Sequence, residues 1–161
     1  MRRFFLLLII VFLSGCAHVI SEELREKAYG EPPPSVLFKD PDAFKGRSVI
    51  LGGVIVSSIN AKEGTYIEVL QKPLDSRERP EDTDVSYGRF IIFHEGYLDT
   101  AVYSQGRAIT VAGEVIGKRI QPLGEIQYPY LLMKGEEIHL LEPRYDIPVH
   151  FGIGIGVWHA F

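Results

Sequence analysis

Apolar and polar residues alternate along most of this chain, or apolar residues gather in short runs bounded by glycine and proline, which is the signature of strands rather than helices. Thr65 to Gln71 places Thr65, Ile67 and Val69 on one side and Tyr66, Glu68 and Leu70 on the other. Arg107 to Ile116 sets Ile109, Val111, Gly113 and Val115 against Thr110 and Glu114. The run from Ser48 to Val56, inside a first strand expected over Arg47 to Ser58, is apolar on both faces. Gly52-Gly53 in its middle predicts a bulge or sharp bend, as a small barrel needs to coil a long strand round its core. A third strand is expected from Gly88 to His94. A fifth is expected from Glu125 to Lys134, with Tyr128, Tyr130 and Leu132 on one face, resuming after Gly135 through Ile138-His139-Leu140. Between these lie a helical turn over Asp40 to Phe44 that stops at Lys45-Gly46, a turn over Ile59 to Gly64, a long charged loop from Lys72 to Tyr87, and a helical turn over Thr100 to Ser104.

Two of the strands echo each other. Gly46-Arg47 and Gly106-Arg107 each open a strand, and at a constant spacing of 60 Val49 matches Ile109, Leu51 matches Val111, Gly53 matches Gly113 and Ile55 matches Val115. Five strands, with a short helical turn before the fourth and the first and fourth built alike, predict an all-β fold: a small five-stranded OB-like barrel with short helical turns. Other small barrels or sandwiches are the alternative.

The amino terminus has a different pattern. Met1-Arg2-Arg3 is followed by ten uninterrupted apolar residues, Phe4 to Leu13. That is the layout of an export signal and too short for a membrane-spanning helix, which needs about 20 residues. Leu13-Ser14-Gly15-Cys16 closes the run and resembles the lipobox of bacterial lipoproteins. The resemblance implies that the Cys16 thiol receives a diacylglycerol, that the chain is cut between Gly15 and Cys16, and that the new amino terminus is acylated. It also implies lipoprotein processing and sorting machinery as partners. Ala17, where Gram-negative lipoproteins retained in the inner membrane carry Asp, implies transfer to the outer membrane. Three acyl chains at about 0.8 kcal/mol per buried CH₂ exceed what lasting attachment requires, so the anchor holds the protein on a membrane without spanning it. Cys16 is the only cysteine, so no disulfide is available to the exported chain.

Residues 1–15 thus read as the signal peptide and 16–35 as the lipidated terminus and tether. The tether carries Glu22, Glu23, Arg25, Glu26 and Lys27 and ends in Pro32-Pro33-Pro34, an extended, semi-rigid spacer. Ser21 could cap a short helix reaching Ala28; an irregular segment is the other reading. The barrel is expected over 36–142. Residues 143–161 form a tail whose run Phe151-Gly152-Ile153-Gly154-Ile155-Gly156-Val157-Trp158 would, if extended, be an uncharged ribbon. Pairing with a sheet edge of its own barrel, of a second copy in self-association or of an envelope partner, or contact with the lipid interface, are the roles open to it; a disordered tail is the other reading. Without the leader, 17 basic residues fall to 15 against 21 acidic ones, a balance that excludes nucleic acid as a partner.

The middle of the chain also resembles a family. Gly52-Gly53-Val54-Ile55, Ile67-Glu68-Val69 running on to Pro73-Leu74-Asp75 and Arg79-Pro80, Gly88-Arg89-Phe90, Leu98-Asp99 and Gly106-Arg107 to Val111 and Gly113 are similar to the Slp family of outer membrane lipoproteins, whose name records an association with starvation. The resemblance runs from about Val36 to Leu141 and implies a lipid-anchored protein of the outer membrane with no assigned catalytic activity. A structural or envelope-maintenance role under stress, on the periplasmic side, is the expectation set beside it.

Catalytic or metal chemistry is not expected, and no cofactor is implied. His94-Glu95 begins like a zinc-protease motif, but Leu98 stands where the second histidine belongs. Asp82, Asp84 and Ser86 imitate the start of a calcium loop, but Tyr87 and Phe93 replace its glycine and glutamate. Asp75 and Arg79 are expected to clasp their loop. Tyr66, Tyr128 and Tyr130 are either barrel residues or an aromatic face for a glycan or peptide ligand, which would make the barrel a binding module.

Overall fold

The computed structural model describes residues 18–142. The signal peptide, the Gly15-Cys16 cleavage and lipidation site, and the Phe151 to Trp158 ribbon lie outside the described residues. Five strands, β1 (Ser48–Ala61), β2 (Gly64–Gln71), β3 (Arg89–Glu95), β4 (Ala108–Leu123) and β5 (Ile126–Leu140), close into a barrel in the order β1-β2-β3-β5-β4. All neighbours are antiparallel except β3 and β5. This is the expected OB-like barrel. Ahead of it come two short helices, α1 (Glu22–Lys27) and α2 (Pro34–Leu37), and a 3₁₀ turn over Pro41–Phe44. No helix among the described residues is long and apolar enough to cross a membrane.

The alternation read from the sequence fills the interior. Val49, Leu51, Ile55, Ile67, Val69, Phe90, Ile92, Ile109, Val111, Val115, Leu131 and Met133 are buried in one cluster, with Leu37 of α2 plugging it. Each such side chain contributes about 1.5 to 3 kcal/mol relative to exposure. The core leaves the barrel packed rather than hollow.

The internal echo has a geometric cause. In the β1–β4 ladder Leu51 lies opposite Val111, its own counterpart, so the match at 60 positions becomes a local two-fold centred on that pair. Hydrogen bonds obey it: Gly46 N–H donates to the Val115 carbonyl and Val115 N–H to that of Arg47, while Gly106 N–H donates to the Ile55 carbonyl and Ile55 N–H to that of Arg107, all at 2.9 Å. Gly46 and Gly106 enter these pairs at φ +81° and +86°, left-handed conformations that favour glycine. Gly53 and Gly113 sit where the next strand crosses. A Cβ on Gly53 would lie 2.0 Å from the Leu70 carbonyl oxygen, and one on Gly113 2.0 Å from that of Lys134.

Three strands differ from expectation. β1 continues through Ala61, which shrinks the turn before β2 to Lys62-Glu63. β4 does not stop near Ile116 but runs to Leu123, bending at Gly117 where its register with β5 shifts. β5 passes through Gly135 without interruption. The segment before β4 makes a single turn, with the N–H groups of Val102 and Tyr103 donating to the Asp99 carbonyl.

Residues 18–35, expected as a spacer, are laid against the barrel wall. Ile20, Leu24 and Ala28 are buried, and the first two pack on Ala112, an outward-facing residue of β4, beside Ile50. Ser21 N–H donates to the Glu137 carboxylate at 3.1 Å, and Glu31 accepts the Ile50 N–H at 2.7 Å on the edge of β1. Of the charges that suggested a solvated tether, Glu22, Glu23, Glu26 and Lys27 are exposed while Arg25 turns to Glu78, and the spacing of apolar residues at 20, 24 and 28 is the helical i, i+4 stripe.

Two predictions follow from these contacts. Gly113→Ala is expected to cost roughly 1 to 3 kcal/mol, because backbone oxygen, not a flexible side chain, occupies the space; the exposed neighbour substitution Glu114→Ala should stay within about 0.5 kcal/mol. Equal urea midpoints for the two variants would refute the crossing argument. The second concerns acid. Burial pushes the Glu137 carboxyl up, but hydrogen bonds from Ser21 and His139 outweigh it and hold the group below its ordinary value. A carboxyl lowered by folding stabilises above its unfolded pKa and loses that contribution as pH falls through the folded one. Acidification below about pH 4.5 should therefore loosen α1 more in the native protein than in Glu137→Gln, where the carboxylate of Glu78 remains to be lost. Hydrogen exchange of residues 20–28, corrected for intrinsic rate, checks this, and identical pH responses would exclude it.

Candidate functional site

The most elaborate polar arrangement lies on the outer wall of β2, β3 and β5, beneath the extended β4–β5 hairpin. Period-two alternation sends Tyr66 and Glu68 of β2 outward together. Glu68 Oε1 accepts from Arg89 Nη1 at 2.7 Å and from the Tyr130 hydroxyl at 3.1 Å, and Oε2 accepts from Ser57 Oγ at 3.3 Å. The hydrogen bond to Glu68 raises the Arg89 pKa. Burial, then the charge of Glu68, pushes the Tyr130 phenol up, so it stays protonated and keeps donating. Tyr128 stands edge-on to Tyr130 with ring centroids 4.9 Å apart, and its hydroxyl accepts the Arg89 N–H at 3.2 Å. This cluster holds three strands and the hairpin together.

Beside it opens a cleft of about 240 Å³ lined by Ser57, Ile59, Tyr66, Glu68, Arg119 and Gln121. Its floor is the Tyr66 ring, 5.0 Å from Phe93, with the Arg119 guanidinium 4.9 Å above it in a cation–π contact. Tyr66 OH donates to Glu63 of the β1–β2 turn at 3.0 Å. Ile59 is exposed at the rim, at 63%. An aromatic floor, a cation and apolar rims suit recognition of a flat or sugar-like group rather than bond breaking.

Of the residues expected to matter, Tyr66 thus lies in the cleft, while Tyr130 is 3% exposed and works with Tyr128 as wall structure. Asp75 and Arg79 do meet, through the Arg79 backbone: the Asp75 carboxylate accepts the N–H groups of Arg77 at 2.8 Å and Arg79 at 2.9 Å, and Asp75 N–H donates to the Arg79 carbonyl at 2.9 Å. The tight turn puts Glu78 at φ +63°. Its carbonyl then accepts from Thr110 Oγ1 at 2.7 Å and its carboxylate from Ile20 N–H at 2.8 Å, with Arg25 Nε at 3.7 Å. Glu95 is engaged by Lys134 Nζ at 2.6 Å, and no three metal-ligating side chains converge among the described residues.

Arg119 and Glu78 were not singled out from sequence, and Glu68 and Arg89 entered only as members of the family-like stretches. Arg119 stands past the expected end of β4, and the isolated outward charges at 68 and 89 carry no spacing signal. Only the alternation that puts Tyr66 and Glu68 side by side points toward the wall.

A packed, closed five-stranded barrel with a helix strapped to its wall is the class this geometry defines. The family model described as the Outer membrane lipoprotein Slp family matches residues 13–153, and the chain belongs to that family. It is 27% identical over 124 residues to the uncharacterized lipoprotein YeaY of Escherichia coli K12, covering 77% of this chain and 64% of that protein. It is 25% identical over 161 residues to the outer membrane protein Slp of the same organism, covering 96% of this chain and 73% of that one. The chain is therefore an outer membrane lipoprotein of the Slp type.

Proposed function

We propose that this protein is anchored through lipid on Cys16, after cleavage behind Gly15, and serves the envelope by surface contact, without catalysis, from the periplasmic side of the outer membrane. The filled barrel core carries this reading, because anything the protein recognises must be held on its outer wall. Its role is then envelope maintenance under stress, through contacts with other envelope components. The lipobox supports the anchor, and membership in a lipoprotein family agrees with it. Cys16→Ser removes the sulfur nucleophile that takes the diacylglycerol. The variant is expected to accumulate as an uncleaved precursor in the inner membrane; normal outer membrane fractionation would defeat the anchor reading.

A second reading has its own observation. The ring of Tyr66 under Arg119 offers a stacking floor with hydrogen-bonding groups at its edge, as a binding module for a glycan or peptide fragment requires. Tyr66→Ala and Arg119→Glu should each abolish capture of such fragments, since loss of the floor or reversal of the charge removes the recognition. Both should leave the thermal midpoint within a few degrees, as the affected groups are only partly buried. Capture by both variants equal to that by the native protein, in fragment titrations followed by NMR, would dismiss the cleft.

A further inference from the structure

Resting on the anchor reading above, the place where the folded body begins fixes how the barrel stands on its membrane. His18 already belongs to that body: its Nδ1 lies 3.4 Å from Glu78 Oε1, Val19 N–H donates to the Arg77 carbonyl at 3.3 Å, and Ile20 N–H to Glu78 at 2.8 Å. Ile20 is 2% exposed, and the stripe of Ile20, Leu24 and Ala28 continues the attachment down α1. The receiving loop is itself braced, by the Asp75 carboxylate on its own backbone and by Thr110 on Glu78.

Cys16 precedes His18 by two residues, and consecutive Cα atoms are 3.8 Å apart, so the anchor lies within about 8 Å of His18. A spacer long enough to lift the barrel is missing from that interval; the Pro32-Pro33-Pro34 stretch comes after the strap, not before it. Next to His18 the loop tip exposes Ser76, Arg77 and Arg79. Of the acids beside them, Asp75 is held on the turn's own backbone and Glu78 is turned inward to Ile20, His18 and Arg25, while Glu81 and Asp82 lie exposed beyond Pro80; the side chains of Arg77 and Arg79 stay exposed at the tip, with the charge that lipid phosphates attract.

We propose that the tip of this loop, Ser76 to Arg79 with His18 beside it, is a docking surface for lipid headgroups of the membrane that holds the anchor, so that the barrel stands in one orientation instead of swinging on a tether. Thr110, which binds Glu78, is near the start of β4, and Arg119 and Gln121 of the wall cleft lie toward its other end, about 30 to 36 Å along the strand. This orientation turns the cleft away from the bilayer.

The test uses the full lipidated chain in phosphatidylethanolamine–phosphatidylglycerol vesicles carrying a headgroup-linked fluorescence quencher. The one native cysteine is consumed by lipid, so Ser76→Cys or Glu125→Cys, both at exposed positions, takes a single fluorophore. Quenching at 76 is expected to exceed that at 125 several-fold, and Glu78→Ala, which releases the strap, should bring the two together. Equal quenching at the two positions in protein that floats with the vesicles overturns the proposal. So does a difference that survives Glu78→Ala, since it would assign the orientation to something other than the strap. Failure to float overturns the anchor reading instead.

Discussion

The close approach of backbone to backbone at Gly53 and Gly113 is the constraint on which the barrel depends. At each, the neighbouring strand's carbonyl oxygen occupies the place of a Cβ. Removing both side chains lets β1 bend into β2 and β4 bend into β5 on opposite sides of the shared β1–β4 ladder, and five strands suffice to close the sheet. The two-fold centred on Leu51 and Val111 then aligns Leu51, Val111, Ile55 and Val115 toward the same interior, so bending and core filling come from one repeated pattern.

A closed barrel still leaves parts of its outer wall and strand edges to be satisfied. Ala112 faces outward yet is 1% exposed, because Ile20 and Leu24 cover it; Ile50 N–H has no strand partner on its outer side and uses Glu31. The strap and the 72–88 loop are mutually dependent: Asp75 sets the turn, the turn presents Glu78, and Glu78 binds both Ile20 and Thr110. A left-handed glutamate is disfavoured by local sterics, and the surrounding hydrogen bonds, including that from its own N–H to the Asp75 carbonyl, hold it there.

What was legible in the sequence was legible because it is local or periodic. Alternation located β2, and the segment expected from Gly88 to His94 located β3, each to within a residue at each end, and the 60-residue echo picked out as built alike the two strands that the structure pairs. What was hidden depends on distant contacts. β4 extends beyond Ile116 because β5 pairs with Arg119 to Leu123, and no local signal announces a hairpin arm supported from one side. The charges of α1 read as a solvated tether because Ile20 and Leu24 find their cover only on distant residues, Ala112 and Ile50. Likewise the Asp75–Arg79 clasp was expected between side chains, but a carboxylate four residues before a turn's end reaches the backbone N–H groups first, as Asp commonly does.

Mounting and recognition are linked by entropy. A domain on a flexible spacer samples many heights and rotations, and each encounter with a surface-bound partner must stop that motion at a cost in orientational freedom. When the segment beside the anchor is part of the fold, that ordering is done on folding, by the burial of Ile20, Leu24 and Ala28 and by Glu78. On the proposed mounting the wall would meet its surroundings at a set height, so a weak, shallow contact such as an exposed ring under a guanidinium would gain effective concentration toward anything held at the same level. A small packed barrel lacking an interior site is suited to that arrangement, because the rigidity of its core is what transmits a fixed base at Glu78 to a fixed wall at Tyr66 and Arg119.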